Sequence, residues 1–390
     1  MFSRRTAWNL TTNHYTEALE AHRRAGRELL DLTASNPTTI GLSYHQEDLL
    51  GAITAREAMT YEPAPKGLLS AREAIAAYYV EKGSPVSPDA LILTTSTSEA
   101  YSFLFRLLCE PGDAVLVPAP SYPLFDFLAD LDDVRLIPYE LVYDHGWQID
   151  VPSLQQAIQS SHSPCRAVLV VHPNNPTGSY VKLHELRELN QICSAHQMAL
   201  IADEVFLDYS FLQPALTFAA NQDALTFTLS GLSKVSALPQ MKVAWIAVSG
   251  PPPLFSDALA RLEVIADTYL SMNAPVQHAV PAMLAERHSI QAQLLDRIKS
   301  NLAVLDEQLA RQKLCDRLAI EGGWYAILRV PILGTDEEMA IAVLRETGVL
   351  LQPGHFYNFP TDGYVVASLI TPRAQFAEGI ERTLQYLARR

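Results

Sequence analysis

The amino-acid sequence predicts an α/β protein: a large domain with a mostly parallel sheet sandwiched by helices, plus a smaller α+β domain built from both chain ends. Two features of the sequence predict this class. From about residue 90 to 250, short apolar runs alternate with segments whose apolar residues recur at three- and four-residue spacing. Continuous apolar strands that alternate with helices are typical of a parallel sheet covered on both faces. After the PPP run at 251–253 the alternation stops and a long helical region follows.

The elements follow in order along the chain. Six apolar runs of the first region are predicted to be buried strands: ALILTTS, DAVLVPAP, RAVLVVHP, MALIADEVF, ALTFTLS and VAWIAVS. Helical patterns such as EAYSFLFRLLC and LHELRELNQICSAH separate most of them, and the helical region from about 256 to 312 breaks near Asn273 and Pro275. Three further strands, GGWYAILRV, VLLQPG and YVVASLI, then precede a terminal helix that begins at about Ala374.

The length of 390 residues allows two to three structural units, at roughly 150 residues per domain. We expect residues 45–275 to form the large domain, and residues 1–44 and 276–390 to form the small domain with an N-terminal arm. The first forty residues are too short to fold alone. They are therefore expected to pack with the C-terminal unit or against a partner subunit.

Composition and charge argue against several classes of function. The formal charge of −14 disfavours a nucleic acid or an anionic membrane as partner, because a phosphate backbone would be repelled overall. No apolar run approaches the roughly 18 residues that span a bilayer, and the first ten residues do not resemble a signal peptide. The four cysteines form neither a CxxC metal site nor a disulfide framework. We therefore expect a cytoplasmic enzyme without a metal.

Three polar residues, Asn175, Asp203 and Lys234, follow or adjoin apolar strand-like runs. In parallel sheets, ligands bind at the carboxyl ends of the strands. A lysine amine forms an imine with an aldehyde, a carboxylate pairs with a pyridinium nitrogen, and an amide donates to a phenolic oxygen. In this order the three residues suggest a pyridoxal-phosphate site.

Each of the three residues also has an ordinary structural explanation. An isolated lysine is usually solvated. Asp203 could form a structural salt bridge, since a carboxylate beside an apolar strand is costly unless it is paired. Asn175 could be the residue of an Asx turn.

Eight motifs resemble those of the class I and II aminotransferases of the pyridoxal-phosphate fold type I superfamily, and their order covers nearly the whole chain. They are SNPT at 35–38, YEPAPKGLLSAREAIAAYY at 61–79, TTSTSEA at 94–100, PSYP at 120–123, NNPTG at 174–178, ADEVF at 202–206, SGLSK at 230–234 and GGWY at 322–325. The resemblance implies that Lys234 forms the Schiff base and then moves the proton from Cα to the C4′ atom of pyridoxal 5'-phosphate. It also implies that Asp203 pairs with the pyridinium nitrogen and that Asn175 hydrogen-bonds the ring oxygen.

The resemblance further implies a phosphate site at Ser96, Thr97 and Ser98, at the start of a helix expected near Glu99. An ordinary N-cap is the alternative for these residues. Ser233 would add a hydroxyl to the same site.

Two tyrosines complete the cofactor contacts that the resemblance implies. Tyr122 would stack on the pyridine ring, with a buried core tyrosine as the alternative. Tyr61 would reach the phosphate of the neighbouring subunit, which implies a homodimer with shared active sites.

Four positions depart from the family pattern. Lys242 stands where an arginine usually binds the phosphate, and a lysine keeps the charge but loses the two-pronged geometry. Gly231 replaces a phosphate-binding serine. Phe206 replaces a tyrosine that donates to the ring oxygen, so we predict a raised imine pKa. Val366 stands where the substrate arginine grips the α-carboxylate.

The valine at 366 leaves two explanations open. Another cation could bind the carboxylate, or the preferred substrate lacks a carboxylate at that place. The candidate cations are Arg5, Lys66, His355 and Arg373, and surface solvation is the ordinary alternative for each, with packing on Phe356 and Tyr357 as a further one for His355. Asn36 of the SNPT motif is a further candidate substrate contact.

Three functions compete at this point. The first is an aminotransferase that moves an amino group between an amino acid, or an amine, and a 2-oxo acid. The second is a lyase or decarboxylase on the same scaffold, and the third is a non-catalytic sensor that binds the cofactor.

Overall fold

The computed structural model describes residues 1–123, 125–211, 215–331 and 334–389. Within these residues the α-helices are α1 (His14–Arg24), α2 (Gln46–Ile53), α3 (Leu69–Glu81), α4 (Thr97–Leu108), α5 (Phe125–Leu131), α6 (Val151–Ser160), α7 (Leu183–His196), α8 (Leu232–Val235), α9 (Pro252–Tyr269), α10 (Ala274–Ala285), α11 (Arg287–Leu309), α12 (Asp336–Thr347) and α13 (Arg373–Leu387). The strands are β1 (Leu30–Asp31), β2 (Leu91–Thr94), β3 (Ala114–Ala119), β4 (Arg135–Tyr143), β5 (Trp147–Ile149), β6 (Cys165–Val171), β7 (Ala199–Asp203), β8 (Thr226–Gly231), β9 (Ala244–Ser249), β10 (Asp316–Arg317), β11 (Tyr325–Arg329), β12 (Val349–Leu350), β13 (Gln352–Pro353) and β14 (Tyr364–Ser368).

The large sheet has the strand order β2-β9-β8-β7-β6-β3-β4-β5 among the described residues. Strands β8, β7, β6, β3 and β4 run parallel to their neighbours in this central part. Strand β9 runs antiparallel to both β8 and β2, and β5 runs antiparallel to β4. The predicted mostly parallel sheet is therefore confirmed.

Helices cover both faces of this sheet because its central strands are apolar throughout. In β7, Leu200 and Ala202 pack with Leu189 of α7 and with α6 on one face. Ile201, between them, packs with Leu262 of α9 and with α4 on the other face. Alternate residues of a strand point to opposite faces, so a run that is apolar at every position needs a cover on each side.

The smaller sheet is antiparallel, with the order β10-β11-β14-β13. Helices α11 and α13 pack on it through Leu294, Ile298 and Phe376. The N-terminal segment joins this part of the molecule, since β1 pairs in parallel with β12 and α1 packs against α12. This confirms the expected smaller α+β unit with contributions from both chain ends.

The structure also contains elements that the sequence pattern did not predict. Strand β4 alternates between exposed and buried residues near the edge of the sheet, and it contains Pro138. Proline lacks an N–H and is tolerated where a strand has an open side. Within the described chain, β5 pairs only with Leu141–Tyr143, so Pro138 lies on that open side.

Two helix boundaries differ from expectation for local reasons. Helix α4 begins at Thr97 and not near Glu99, because the Ser96 hydroxyl accepts a hydrogen bond from the Glu99 N–H at 3.1 Å. Helix α9 begins at Pro252, where the missing N–H of proline costs nothing in the first turn. Among the described residues, no helix is long and apolar enough to cross a membrane.

Candidate active site

A cavity of 380 Å³ lies at the carboxyl ends of β6, β7 and β8. Its volume falls in the range of about 300–1,000 Å³ that is typical of small-molecule sites. Both sheets contribute to its wall. The described residues that line it are Ser35, Thr97, Ser98, Tyr122, Phe125, Val171, Asn175, Asp203, Val205, Phe206, Ser233, Lys234, Tyr325, Gln352 and Tyr357. A larger cleft of 1110 Å³ lies between α1 and α12, but none of the predicted site residues lines it.

Lys234 lies in the short helix α8, directly after β8. Its Nζ atom is 3.5 Å from the carbonyl oxygen of Ser35, a contact too long to hold an ammonium strongly. The same atom lies 4.6 Å and 5.4 Å from the ring centroids of Trp324 and Phe206. Burial lowers the pKa of Lys234 from 10.5 to about 8, and the charge of Asp203 only partly opposes this. The neutral, nucleophilic amine is therefore accessible near neutral pH.

Asp203 ends β7 and is buried. Its Oδ2 accepts a hydrogen bond from the Tyr101 hydroxyl at 2.8 Å, and its Oδ1 accepts one from the Val205 N–H at 3.1 Å. Burial raises the pKa of Asp203, while these two hydrogen bonds and the charge of Lys234 act in the opposite direction. No ion pair within 4.0 Å involves this carboxylate in the part of the chain that the structure describes. Asp203 thus remains able to pair with a cation placed in the cavity.

Asn175 follows β6 in the NNPTG turn. The side chain that hydrogen-bonds within this segment is that of its neighbour, because Asn174 Oδ1 accepts from the N–H and the hydroxyl of Thr177 at 3.4 Å and 3.1 Å. The side-chain oxygen of Asn175 is buried and has no partner among the described residues. Since an unpartnered buried amide is costly, the Asn175 amide is placed for a ligand rather than for the turn.

The start of α4 also faces the cavity, with Thr97 and Ser98 in its wall. Ser96 does not line the cavity, because its hydroxyl caps the helix. The Glu99 carboxylate also accepts a hydrogen bond, at 2.6 Å, from the N–H of Thr95, the residue before the cap. Three hydroxyls, of Thr97, Ser98 and Ser233, therefore lie beside the positive end of α4, which favours an anion.

Gly231 begins the turn that carries Lys234. A Cβ atom at this position would lie 2.9 Å from the Val243 carbonyl oxygen and 3.0 Å from the Ala244 Cβ. The close packing of β8 against β9 therefore leaves no room for a serine here unless the backbone moves.

The remaining predicted cofactor contacts lie at different places. Tyr122 lines the cavity, and burial together with the charge of Asp203 raises its pKa. Tyr61 is 76% exposed and lies outside the cavity. Lys242 is exposed, has a left-handed backbone with φ 54°, and also lies outside it.

None of the candidate substrate cations lines the cavity. Their observed contacts are Arg5 with Asp133, Lys66 with Asp89, Arg373 with Asp296, and His355 stacked edge-on against Phe356. The Asn36 side chain accepts from the N–H and the hydroxyl of Thr38, whereas its neighbour Ser35 lines the cavity. Val366 is fully buried in β14 and contributes no polar group.

Sequence reasoning missed four polar residues of the cavity wall: Ser35 and Tyr325, which stand in the SNPT and GGWY motifs, and Gln352 and Tyr357. The QPGHFY turn was the available signal for the last two, but it directed attention to His355. The Tyr357 hydroxyl donates a hydrogen bond to Gln352 Oε1.

The fold and the site together define a class of enzyme: a lysine with a lowered pKa and a buried carboxylate share one cavity at the strand ends of an α/β sheet. The model of the aminotransferase class I and II family matches residues 8–388. The chain belongs to this family, and it is an aminotransferase.

Named relatives and solved structures agree with the family. The chain is 25% identical to glutamate-pyruvate aminotransferase AlaA of Haemophilus influenzae over 383 residues, with 96% of this chain and 94% of that protein covered. It is 26% identical to alanine aminotransferase of Mycobacterium tuberculosis H37Rv over 376 residues, with 93% and 86% covered. Its fold is similar to that of alanine aminotransferase from Pyrococcus furiosus, with a TM-score of 0.90 and 21% identity over 100% of both chains. Thermus thermophilus aspartate aminotransferase, as a single mutant, gives a TM-score of 0.83 at 23% identity, with 99% of this chain and 100% of that one covered.

Proposed function

We propose that this aminotransferase uses pyridoxal 5'-phosphate, held covalently by Lys234, to move an amino group between an amino acid, or an amine, and a 2-oxo acid. The observation that carries the proposal is the shared cavity of Lys234, Asp203 and Asn175. A half-buried amine that deprotonates near neutral pH, a buried carboxylate without an ion-pair partner among the described residues, and an amide in the cavity wall fit the groups of this cofactor.

When bound, pyridoxal phosphate supplies an aldehyde for the amine and a ring that accepts the electrons released at Cα. Asp203 would keep a proton on the ring nitrogen, and Asn175 would donate to the ring oxygen. Tyr122 would lie against the ring. The rings of Phe206 and Trp324 lie beside Nζ and reduce the contact of the reacting amine with water.

Lys234 would also move the proton at the substrate. Because its pKa is about 8, both its protonated and its neutral forms are populated near neutral pH. A general base is most effective when its pKa lies near the working pH. The Nζ atom can therefore take the proton from the substrate Cα and return it at a neighbouring carbon.

The phosphate would be held by Thr97, Ser98 and Ser233 at the start of α4, beside the capping Ser96. Lys242 is a further proposed contact. This contact is supported by one backbone hydrogen bond: the Leu232 N–H donates to the Val243 carbonyl at 2.9 Å. The bond holds the residue after Lys242 at the start of α8.

We further propose a homodimer in which Tyr61 reaches the phosphate of the partner subunit. The high exposure of Tyr61 supports this role, since a tyrosine that is 76% exposed has little to bind in its own chain. We also retain the division into residues 45–275 and residues 1–44 with 276–390. The four free cysteines of the described chain support a reducing, cytoplasmic setting.

The family match and the named relatives favour transamination over a lyase, a decarboxylase or a sensor. The relatives are named for alanine, glutamate and pyruvate. Whether this chain acts on the same compounds depends on how its cavity holds a substrate.

Covalent capture by Lys234 is the direct test. The purified protein is mixed with pyridoxal phosphate, reduced with borohydride and digested, and the modified peptide is identified by mass spectrometry. We expect the adduct on Lys234, and we expect Lys234→Ala to lose both the adduct and the visible absorbance band. Lys299→Ala, which removes an exposed lysine outside the cavity lining, is the matched control and should keep the adduct. An adduct that persists in Lys234→Ala contradicts the proposal.

A further inference from the structure

The cavity has a polar wall beside the position where the family resemblance places a carboxylate-binding arginine, and this wall is neutral. Lys234 is the one cationic residue among the described residues that line the cavity. Proposed covalent binding of the cofactor occupies that amine. An amino acid that enters the site therefore finds no arginine or histidine in the described lining for its carboxylate.

Gln352 lies next to the position of the absent arginine. In the small sheet, β13 pairs with β14 so that Gln352 is directly opposite Val366. Directly opposite residues on paired strands project their side chains to the same face, with Cβ atoms about 5 Å apart. Gln352 lines the cavity and is partly exposed, whereas Val366 is fully buried.

The orientation of the Gln352 amide is determined by a neighbour. Its Oε1 accepts a hydrogen bond from the Tyr357 hydroxyl. No hydrogen bond of its Nε2 is formed with any residue of the described chain, so this N–H group remains free to donate into the cavity. The side chain can thus offer a donor, but not a positive charge.

The other polar groups of this wall are also neutral donors. Tyr122 and Tyr325 line the same cavity. Burial is the main cause of the raised pKa of each tyrosine. Asp203 raises the pKa of Tyr122 further, and Tyr122 does the same for Tyr325. Both hydroxyls therefore stay protonated through the neutral range.

We infer that Gln352 determines the substrate specificity of this enzyme. The site prefers amino donors in which an uncharged hydrogen-bond acceptor, such as a carboxamide, replaces the α-carboxylate of an amino acid. The inference rests on the proposed function and narrows its substrate class. A carboxylate loses much solvation in a cavity without a cation, whereas an amide oxygen loses less and accepts from the Gln352 N–H.

The reaction of such a donor balances as an ordinary half-transamination. An α-amino amide loses its C–N bond and its Cα–H bond and gains a carbonyl oxygen from water, which yields the 2-oxo amide. The amino group and the two electrons of the C–H bond stay with the cofactor until an oxo acceptor takes them.

The test compares L-alaninamide with L-alanine on the holoenzyme, without an acceptor. The change in the visible cofactor band is followed at increasing donor concentration, which gives a Kd and a maximal rate for each donor. Binding of propionamide and propionate, which cannot react, is measured by calorimetry as a second readout. We expect the amide of each pair to bind more tightly.

Three variants separate the role of Gln352 from general effects of donor chemistry. Those general effects cancel when the Kd of a donor for the variant is divided by its Kd for wild type. Gln352→Glu keeps the acceptor for Tyr357 but removes the N–H donor, so the Kd for the amides should rise about five- to tenfold. Gln352→Arg adds a cation at a partly exposed position and should reverse the preference toward L-alanine. Tyr357→Phe removes only the orienting hydroxyl and should raise the Kd about twofold or more, with the maximal rate unchanged.

The outcomes are distinguishable. If the donors react but wild type binds the carboxylates more tightly, or if Gln352→Glu leaves the Kd for the amides unchanged, the inference is overturned while the proposed function stands. If no donor changes the cofactor band, the proposed function falls and the inference falls with it.

Discussion

Lys234 shows how strongly the surroundings of one side chain control its chemistry. Its side chain is half-buried, its amine lies beside two aromatic rings, and the carbonyl of Ser35 is a weak partner at 3.5 Å. Burial therefore dominates and lowers the pKa to about 8. Asp203, close enough for its charge to act on Lys234, keeps its carboxylate between two neutral hydrogen-bond donors. Under the proposed function, Asp203 would keep a proton on the cofactor's ring nitrogen, and Lys234 would move the proton of the substrate.

Phe206 offers a residue-scale prediction about the bound cofactor. Its ring is buried 5.4 Å from Lys234 Nζ and has no hydroxyl to donate to a ring oxygen. We expect Phe206→Tyr to lower the pKa of the cofactor-bound Lys234 nitrogen by roughly one to two units, because one hydrogen bond to a charged oxygen contributes about 1.5–3 kcal/mol. A spectrophotometric pH titration of the visible band measures this.

Phe125→Tyr is the matched control for this titration, since Phe125 also lines the cavity. It should leave the titration where it is in wild type. An unprotonated nitrogen near neutral pH in wild type, or equal shifts in both variants, would count against the role of position 206.

The loop after β6 depends on a histidine that must stay neutral. His172 is buried, its Nδ1 accepts from the Val181 N–H at 3.0 Å, and its Nε2 donates to the Leu216 carbonyl at 2.7 Å. These bonds hold the segment that carries Asn175 between two other parts of the chain. Burial lowers the pKa of His172 from 6.5 to about 4, although the bond to Leu216 acts in the opposite direction.

The lowered pKa of His172 predicts that the stability of the protein depends on pH. Because the pKa of His172 is lower in the folded than in the unfolded chain, the unfolded chain binds a proton at this residue first as the pH falls. The stabilisation is complete above pH 6.5 and is lost as the pH falls toward 4, with a total of about 3 kcal/mol. Urea unfolding at pH 7 and pH 4.5 measures the loss. His172→Gln, which cannot titrate, should show a smaller difference between the two pH values, and an equal difference would contradict the prediction.

At the scale of the whole molecule, the cavity exists only because two sheets meet. The large sheet contributes Asp203 and the turn of Lys234, and the small sheet contributes Tyr325 and Gln352. Ser35 comes from the N-terminal segment that joins the small unit through β1. A shared cavity of this kind couples the packing of the two units to the geometry of the site.

Shared sites in a homodimer give a whole-molecule prediction. We expect Lys234→Ala and Tyr61→Ala each to have little activity alone. After the two are mixed, unfolded and refolded together, activity should recover to about a quarter of wild type, since random pairing makes half of the dimers mixed and each of those has one intact site. Steady-state activity of the mixture measures this recovery.

A same-chain control keeps the mixing experiment specific. Asn175→Ala, mixed with Lys234→Ala, should give no recovery beyond its own residual activity, because Asn175 and Lys234 line one cavity of one chain. Failure of the Tyr61 mixture to recover would contradict shared sites.

Much of the fold and part of the site could be predicted from the sequence, for a physical reason. Buried central strands such as β7 are apolar at every position, so their pattern is visible without a structure. Strand β4 was missed because it lies toward the edge, alternates in exposure and contains Pro138. Asn175 was predicted as a cofactor contact, but only the structure shows that Asn174 makes the side-chain hydrogen bonds within that segment.

The sequence by itself determined the α/β class, the three polar residues at the strand ends and the valine at position 366, because these depend on local periodicity and on residue identity. Only the tertiary structure decided the lowered pKa of Lys234, the absence of Arg5, Lys66, His355 and Arg373 from the described cavity lining, and the pairing of Gln352 with Tyr357 beside the cavity. These properties depend on burial and on strand register between residues far apart in the chain. No local sequence pattern encodes burial or strand register, because each is determined by the packing of the whole molecule.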